Sequence, residues 1–131
     1  MSIVVDTSAF VAILQNEPDA NEYRRILLKA EKALLSTATA VELHIVITAR
    51  LGEAGVLKLT RLLAQPLFEI ISFDQQQMEI ASVAYERFGQ GRHPAKLNYG
   101  DLFSYSLARL RNLPLLFKGN DFSQTDIQSC L

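Results

Sequence analysis

Ile3-Val4-Val5-Asp6-Thr7-Ser8-Ala9 is the stretch that decides the fold. Three β-branched apolar residues run into an aspartate, two hydroxyl residues follow, and a second apolar run begins. The pattern predicts a short buried strand with Asp6 at its carboxyl end, opening directly into a helix. In open α/β sheets, ligands bind beyond the carboxyl ends of the strands. Asp6 therefore stands where such a fold does its chemistry, and the question becomes which other acids reach the same edge.

Outward from that stretch, strands alternate with helices. Ser8 to Leu14 reads as a short helix capped by Asp6 or Thr7. After a break at Asn16–Asp19, a helix started by Pro18 or Asp19 runs to about Lys32, with Tyr23, Ile26, Leu27 and Ala30 on its apolar stripe. Ala33–Ser36 is a second strand. Thr37 or Thr39 opens a helix to about Leu51, apolar nearly all round between Ala40 and Ile47 and so expected to be buried. Gly52 and Gly55 punctuate it, and a further helix through Leu57 and Leu63 stops at Pro66. Leu67–Ile71 is a third strand. Asp74 caps a helix to about Phe88, with Ile80, Ala81, Ala84, Tyr85 and Phe88 inward. A polar loop over Gly89–Lys96 leads to a helix over Tyr99–Arg111, started by Asn98. Pro114–Phe117 is a fourth strand, Lys118–Phe122 turns sharply off its end, and a last edge strand is expected near Ile127. The alternation argues for a parallel sheet covered by helices on both faces. Right-handed crossovers would then bring the strands' carboxyl ends to one edge.

The chain has 131 residues, the size of one domain, and residues 1–131 read as a single unit. Its net charge of −1, with 49% apolar and 21% charged residues, marks a globular chain and advertises neither nucleic acid nor a membrane surface. The lone cysteine, Cys130, excludes an internal disulfide and a cysteine-rich zinc site and suits a reducing cytoplasm. The N-terminus does not read as a signal peptide, and no apolar run approaches the ~20 residues of a membrane span.

Four acids stand out. Asp6 ends the first strand and Asp121 follows the fourth, so both belong to the carboxyl edge. Glu42 lies in the first turns of the helix after the second strand. Asp101 lies in the first turn of the helix before the fourth. Each has a plainer reading: Asp6 as a helix cap, Asp101 as the partner of Asn98 in a capping box, Asp121 as turn chemistry, Glu42 as an exposed helix residue. Glu42 resists its plainer reading, because it lies in an apolar stretch where an unpaired carboxylate is costly. If the four converge, their mutual repulsion calls for a hard divalent cation. Oxygen ligands select Mg²⁺ or Mn²⁺, and such a site suits phosphodiester hydrolysis.

These motifs carry a family resemblance. Val4-Val5-Asp6-Thr7-Ser8-Ala9, Glu42 early in its helix, the run Leu97-Asn98-Tyr99-Gly100-Asp101-Leu102-Phe103 and the turn Lys118-Gly119-Asn120-Asp121-Phe122 resemble the PIN-domain family, and within it the VapC-type ribonuclease toxins. The resemblance covers the whole chain in order. It implies an α/β fold, a three-layer α/β/α sandwich with a four- to five-stranded parallel β-sheet. It implies metal ligands at Asp6, Glu42 and Asp101 with Asp121 as fourth acid, and supporting roles for Thr7, Ser8 and Asn98. It further implies Mg²⁺- or Mn²⁺-dependent cleavage of RNA, a homodimer in the cytoplasm, and an antitoxin that plugs the acidic cleft. One departure is that many PIN domains carry another acid two residues before the position of Asp121, where this chain has Gly119.

Arg92, Lys96 and Lys118 flank the acidic motifs and are candidate RNA contacts on a positive rim. His44 and His93 read as residues outside the chemistry, His93 as simply solvated. Tyr99 reads as a core aromatic, with a stacking platform for an unpaired base as its alternative. A non-catalytic scaffold that binds a protein or RNA partner is the rival function. A phosphotransfer enzyme fits less well, since a second aspartate would be wanted where Ser8 stands.

Overall fold

In the computed structural model, which describes residues 1–131, the opening strand β1 (Ile3–Val5) is buried along its whole length. Its side chains alternate as strand geometry requires: Ile3 and Val5 enter one core, Val4 the other. The chain continues through α1 (Thr7–Leu14), α2 (Ala20–Lys29), β2 (Ala33–Ser36), α3 (Thr37–Leu63), β3 (Phe68–Ile71), α4 (Gln75–Phe88), α5 (Tyr99–Arg111) and β4 (Leu115–Leu116). The four strands form one parallel sheet in the order β3-β2-β1-β4, with Val4 opposite Leu34 on one side and Leu115 on the other.

Residues of α1, α2 and α3 pack on one face of the sheet and residues of α4 and α5 on the other, which makes the three layers. The strand order runs outward from β1 through β2 to β3, then jumps back to β4 on the far side of β1. The chain therefore changes direction between β1 and β4. That switch point is where an open α/β sheet leaves a crevice beyond its strand ends.

The break expected at Gly52 is present: α3 is two helices, to Leu51 and on to Leu63, joined at a glycine whose non-helical backbone (φ 63°, ψ −158°) favours that residue. Several expectations need correcting. The first half of α3 is not buried all round: Val41 and Ile45 are 61% and 62% exposed, while Thr39, Leu43 and Ile47 are buried and Ala40 and Val46 partly so. Tyr85 also lies partly outside its stripe. Asp19 precedes α2 without capping it; its carboxylate accepts from the Tyr23 hydroxyl instead. The expected edge strand near Ile127 reduces to a single bridge, with Leu115 N donating to Gln128 O and Cys130 N to Leu115 O. No helix is long and apolar enough to cross a membrane.

Candidate active site

Asp6 leaves β1 in extended conformation and caps α1, its Oδ2 accepting from Ser8 N at 3.1 Å and Ser8 Oγ at 2.7 Å. Its Oδ1 accepts from Ser104 Oγ at 2.5 Å, from one turn inside α5. Ser8 Oγ in turn accepts from Lys118 N at 3.0 Å, which ties the end of β4 to the end of β1. The carboxylate is 4% exposed. Burial pushes its pKa above the ordinary range, against the pull of the hydroxyl and amide donors.

Asn98 and Asp101 form a capping box at the start of α5: Asn98 Oδ1 accepts from Asp101 N, and Asp101 Oδ2 accepts from Asn98 N, each at 3.0 Å. The plainer reading of Asp101 thus holds, and the cleft reading holds with it. Burial pushes the Asp101 carboxyl up to about 7, and the neighbouring Asp6 and Asp121 carboxylates add to the rise while the Asn98 N–H opposes it. Glu42 is half-buried near the start of α3, where one of its oxygens accepts from the Thr7 hydroxyl. A Cβ on Gly100 would overlap the Glu42 carboxylate, so any side chain there would have to push that carboxylate from its place. Asp121 is exposed in the turn after β4.

All four acids, with Thr7, Ser8 and Asn98, line one cleft of about 340 Å³ at the switch point. None of the four is in an ion pair. Arg50 and Lys118 also line the cleft without pairing with these acids, and all the acids' ligating atoms are oxygen, so the donor set suits a hard cation. No three acidic, histidine or cysteine side chains close around a single point as ligands. Mg²⁺ does not need such a cage, because it is held by one or two carboxylates together with water and substrate phosphate.

The basic rim differs from expectation. Lys118 reaches the cleft, but its ammonium is bound by Glu17 and, at 3.1 Å, by Asp19, which raise its pKa. Arg92 and Lys96 are not among the cleft residues; Arg92 instead lines a second groove, over the Tyr85 ring. His93 is not simply solvated: its Nδ1 accepts from Ala95 N and its ring packs edge-on to Phe88. Tyr99 is 79% exposed and so is no core residue. Three members of the site went unread in the sequence: Ser104, Arg50 and Glu17. Ser104 had a signal, since it stands three residues after Asp101 on the same helix face. Arg50 had a weaker one, about two turns after Glu42 on α3, where it lies exposed and lines the cleft.

An acid-lined cleft at the switch point of a small parallel sheet is the site of a PIN domain, and the chain belongs to that family, which it matches over residues 3–128. It is similar to VapC ribonuclease Mb0640 of Mycobacterium bovis, 45% identical over 125 residues that cover 95% of each protein. Its backbone superposes on the sarcin-ricin loop cleaving toxin VapC20 of Mycobacterium tuberculosis with a TM-score of 0.80 over 95% of both chains, at 16% identity. A chain from a toxin–antitoxin complex of Klebsiella pneumoniae gives a TM-score of 0.75 over 98% of both, also at 16% identity.

Proposed function

We propose that the protein is a metal-dependent endoribonuclease that hydrolyses RNA phosphodiester bonds and serves as the toxin of a toxin–antitoxin pair. One observation carries the chemistry: Asp6, Asp101 and Asp121 crowd one cleft and none of them is in an ion pair, and the Asp101 carboxyl is pushed up to about 7. A site built this way is relieved by a divalent cation and, through it, by a phosphate group. The similarity to a VapC ribonuclease along nearly the whole chain supports RNA as substrate.

Asp6 and Asp101 would hold Mg²⁺ or Mn²⁺, with Asp121 and Glu42 contributing from the more open side. When bound, the cation supplies charge stabilisation at the phosphoryl oxygens and makes water a stronger acid. Ser8 and Ser104 hold the Asp6 carboxylate in one orientation, and the capping box does the same for Asp101. Thr7 restrains Glu42, which with Asp121 would orient water and accept its proton. An antitoxin that silences the protein would mask this cleft with a basic side chain, and a homodimer would present two such clefts.

A non-catalytic scaffold is the second reading, favoured by the lack of a closed set of ligands. Calorimetry with Mn²⁺ on the wild type and on Asp6→Asn/Asp101→Asn, each checked for folding by circular dichroism, separates the two. Binding by the wild type alone, followed by Mn²⁺-dependent RNA cleavage, is expected. Cleavage retained by the double variant would remove the chemistry from Asp6 and Asp101, and a wild type that neither binds Mn²⁺ nor cleaves RNA would sink the nuclease reading.

A further inference from the structure

Tyr99 sits inside the acidic motif, between Asn98 and Asp101, yet nothing in the chemistry above uses it. Its ring is 79% exposed but not loose. It meets Phe103 edge-on at 4.8 Å and 82°, and Phe103 meets Phe73 edge-on at 4.9 Å and 90°. Two successive edge-to-face contacts therefore set the plane of a solvent-facing ring. That ring lines a groove of about 530 Å³, to which α4 contributes Met78 and Tyr85, themselves 48% and 39% exposed. Arg92 completes it, with its guanidinium carbon 5.7 Å from the centre of the Tyr85 ring and in no ion pair.

We propose that this groove is a subsite for one unpaired RNA base, stacked on Tyr99, belonging to the strand whose phosphate enters the acidic cleft. The proposal rests on the ribonuclease reading and adds where the substrate is gripped. The groove and the cleft share the first turn of α5: Asn98 and Asp101 line the cleft, Tyr99 and Phe103 the groove. A nucleotide beside the one being cut therefore meets a fixed aromatic face, and base–aromatic stacking tolerates any sequence. The volume is that of a small-ligand pocket, mostly apolar with a few polar groups for the base edge. Lys118 in the cleft is committed to Glu17 and Asp19, whereas Arg92, which shares the groove with Glu86 but pairs with no acid, can meet a phosphate that flanks the base.

The test uses the full chain as wild type, Tyr99→Ala and Tyr99→Phe. Binding of a short fluorescent single-stranded RNA of mixed sequence is read by anisotropy, in EDTA and again with Ca²⁺. Cleavage of the same RNA is read with Mn²⁺, and the oligomeric state by sedimentation. Tyr99→Ala is expected to weaken binding roughly ten- to hundredfold, with Tyr99→Phe close to the wild type. One abasic replacement near the cut should reproduce the loss in the wild type and add nothing in Tyr99→Ala. Equal binding by wild type and Tyr99→Ala overturns the proposal, as does no binding by the wild type. A loss of binding that accompanies conversion of a dimer to monomers also overturns it, and assigns the groove to a second copy of the chain. Tyr99-dependent binding without cleavage defeats the nuclease reading and upholds the subsite; cleavage indifferent to Tyr99 does the reverse.

Discussion

The first turn of α5 serves two grooves that are held in opposite ways. In the acidic cleft, side chains are fixed by directed bonds: Asp6 by Ser8 and Ser104, Glu42 by Thr7, Asp101 by Asn98. In the neighbouring groove, Tyr99 and Phe103 are fixed by ring against ring. Directed bonds set the position of charged atoms to within a fraction of an ångström, which bond-breaking chemistry requires. Ring packing sets a plane and leaves the occupant free to slide, which suits a surface that must accept different bases. One helix turn thus joins a demanding site to a tolerant one.

The largest effect should come from the demanding side. Asp101→Asn is expected to reduce RNA cleavage on the order of 10²–10³-fold or more, with an unchanged circular dichroism spectrum. Cleavage within a few-fold of wild type would erase the contrast. Gly100→Ala comes next. Alanine is the better helix former by about 1 kcal/mol, yet its Cβ would displace the Glu42 carboxylate. Cleavage should fall on the order of tenfold or more while RNA binding through Tyr99 persists. Equal losses in both assays would show that the grooves are not separable.

Ser104→Ala removes a buried donor from Asp6 and should lower stability by about 1–3 kcal/mol, read as a shift in urea midpoint. No shift would mean that Ser104 is not among the bonds that fix the cleft. The smallest effect is a slope. The folded metal-free protein keeps the Asp101 proton up to about pH 7, whereas the unfolded chain releases it near 3.8. Between those values the unfolded state binds fewer protons, so stability falls as pH rises. Melting temperature should therefore drop by a few degrees from pH 5 to pH 8 without metal, flatten in Asp101→Asn, and recover at pH 8 on adding Mg²⁺. A rise over that window in the metal-free wild type would contradict the crowding of the acids.

The comparison also separates what the sequence displayed from what it concealed. Ile3–Ser8 displayed the first strand, its terminal acid and the helix cap, because each is a local pattern. Strand–helix alternation displayed the layers. The common cleft of Asp6, Glu42, Asp101 and Asp121 was legible because strand ends and helix starts share an edge. The hydroxyl of Ser104 on Asp6 spans 98 residues; its spacing from Asp101 put it on the cleft side of α5, and only the fold shows that it meets Asp6. Tyr99 was misread as core because its aromatic character was weighed without its position, one residue after a cap, where a helix face is not yet covered. Val41 and Ile45 were misread for a related reason: an apolar run shows what can be buried, and the packing of neighbouring helices decides what is.

The capping box has a consequence for how this chain can change over generations. Asp101 serves the backbone of α5 through an oxygen that asparagine also possesses, and serves the cleft through a charge that asparagine lacks. Aspartate and asparagine codons differ at one base. A lineage harmed by the activity can therefore silence it in a single mutational step and still produce a folded, soluble chain, and the same step reversed restores it. Sequencing survivors of forced overexpression should return Asp101→Asn among the soluble variants. Survivors carrying only truncated or insoluble chains would show that no such short path exists.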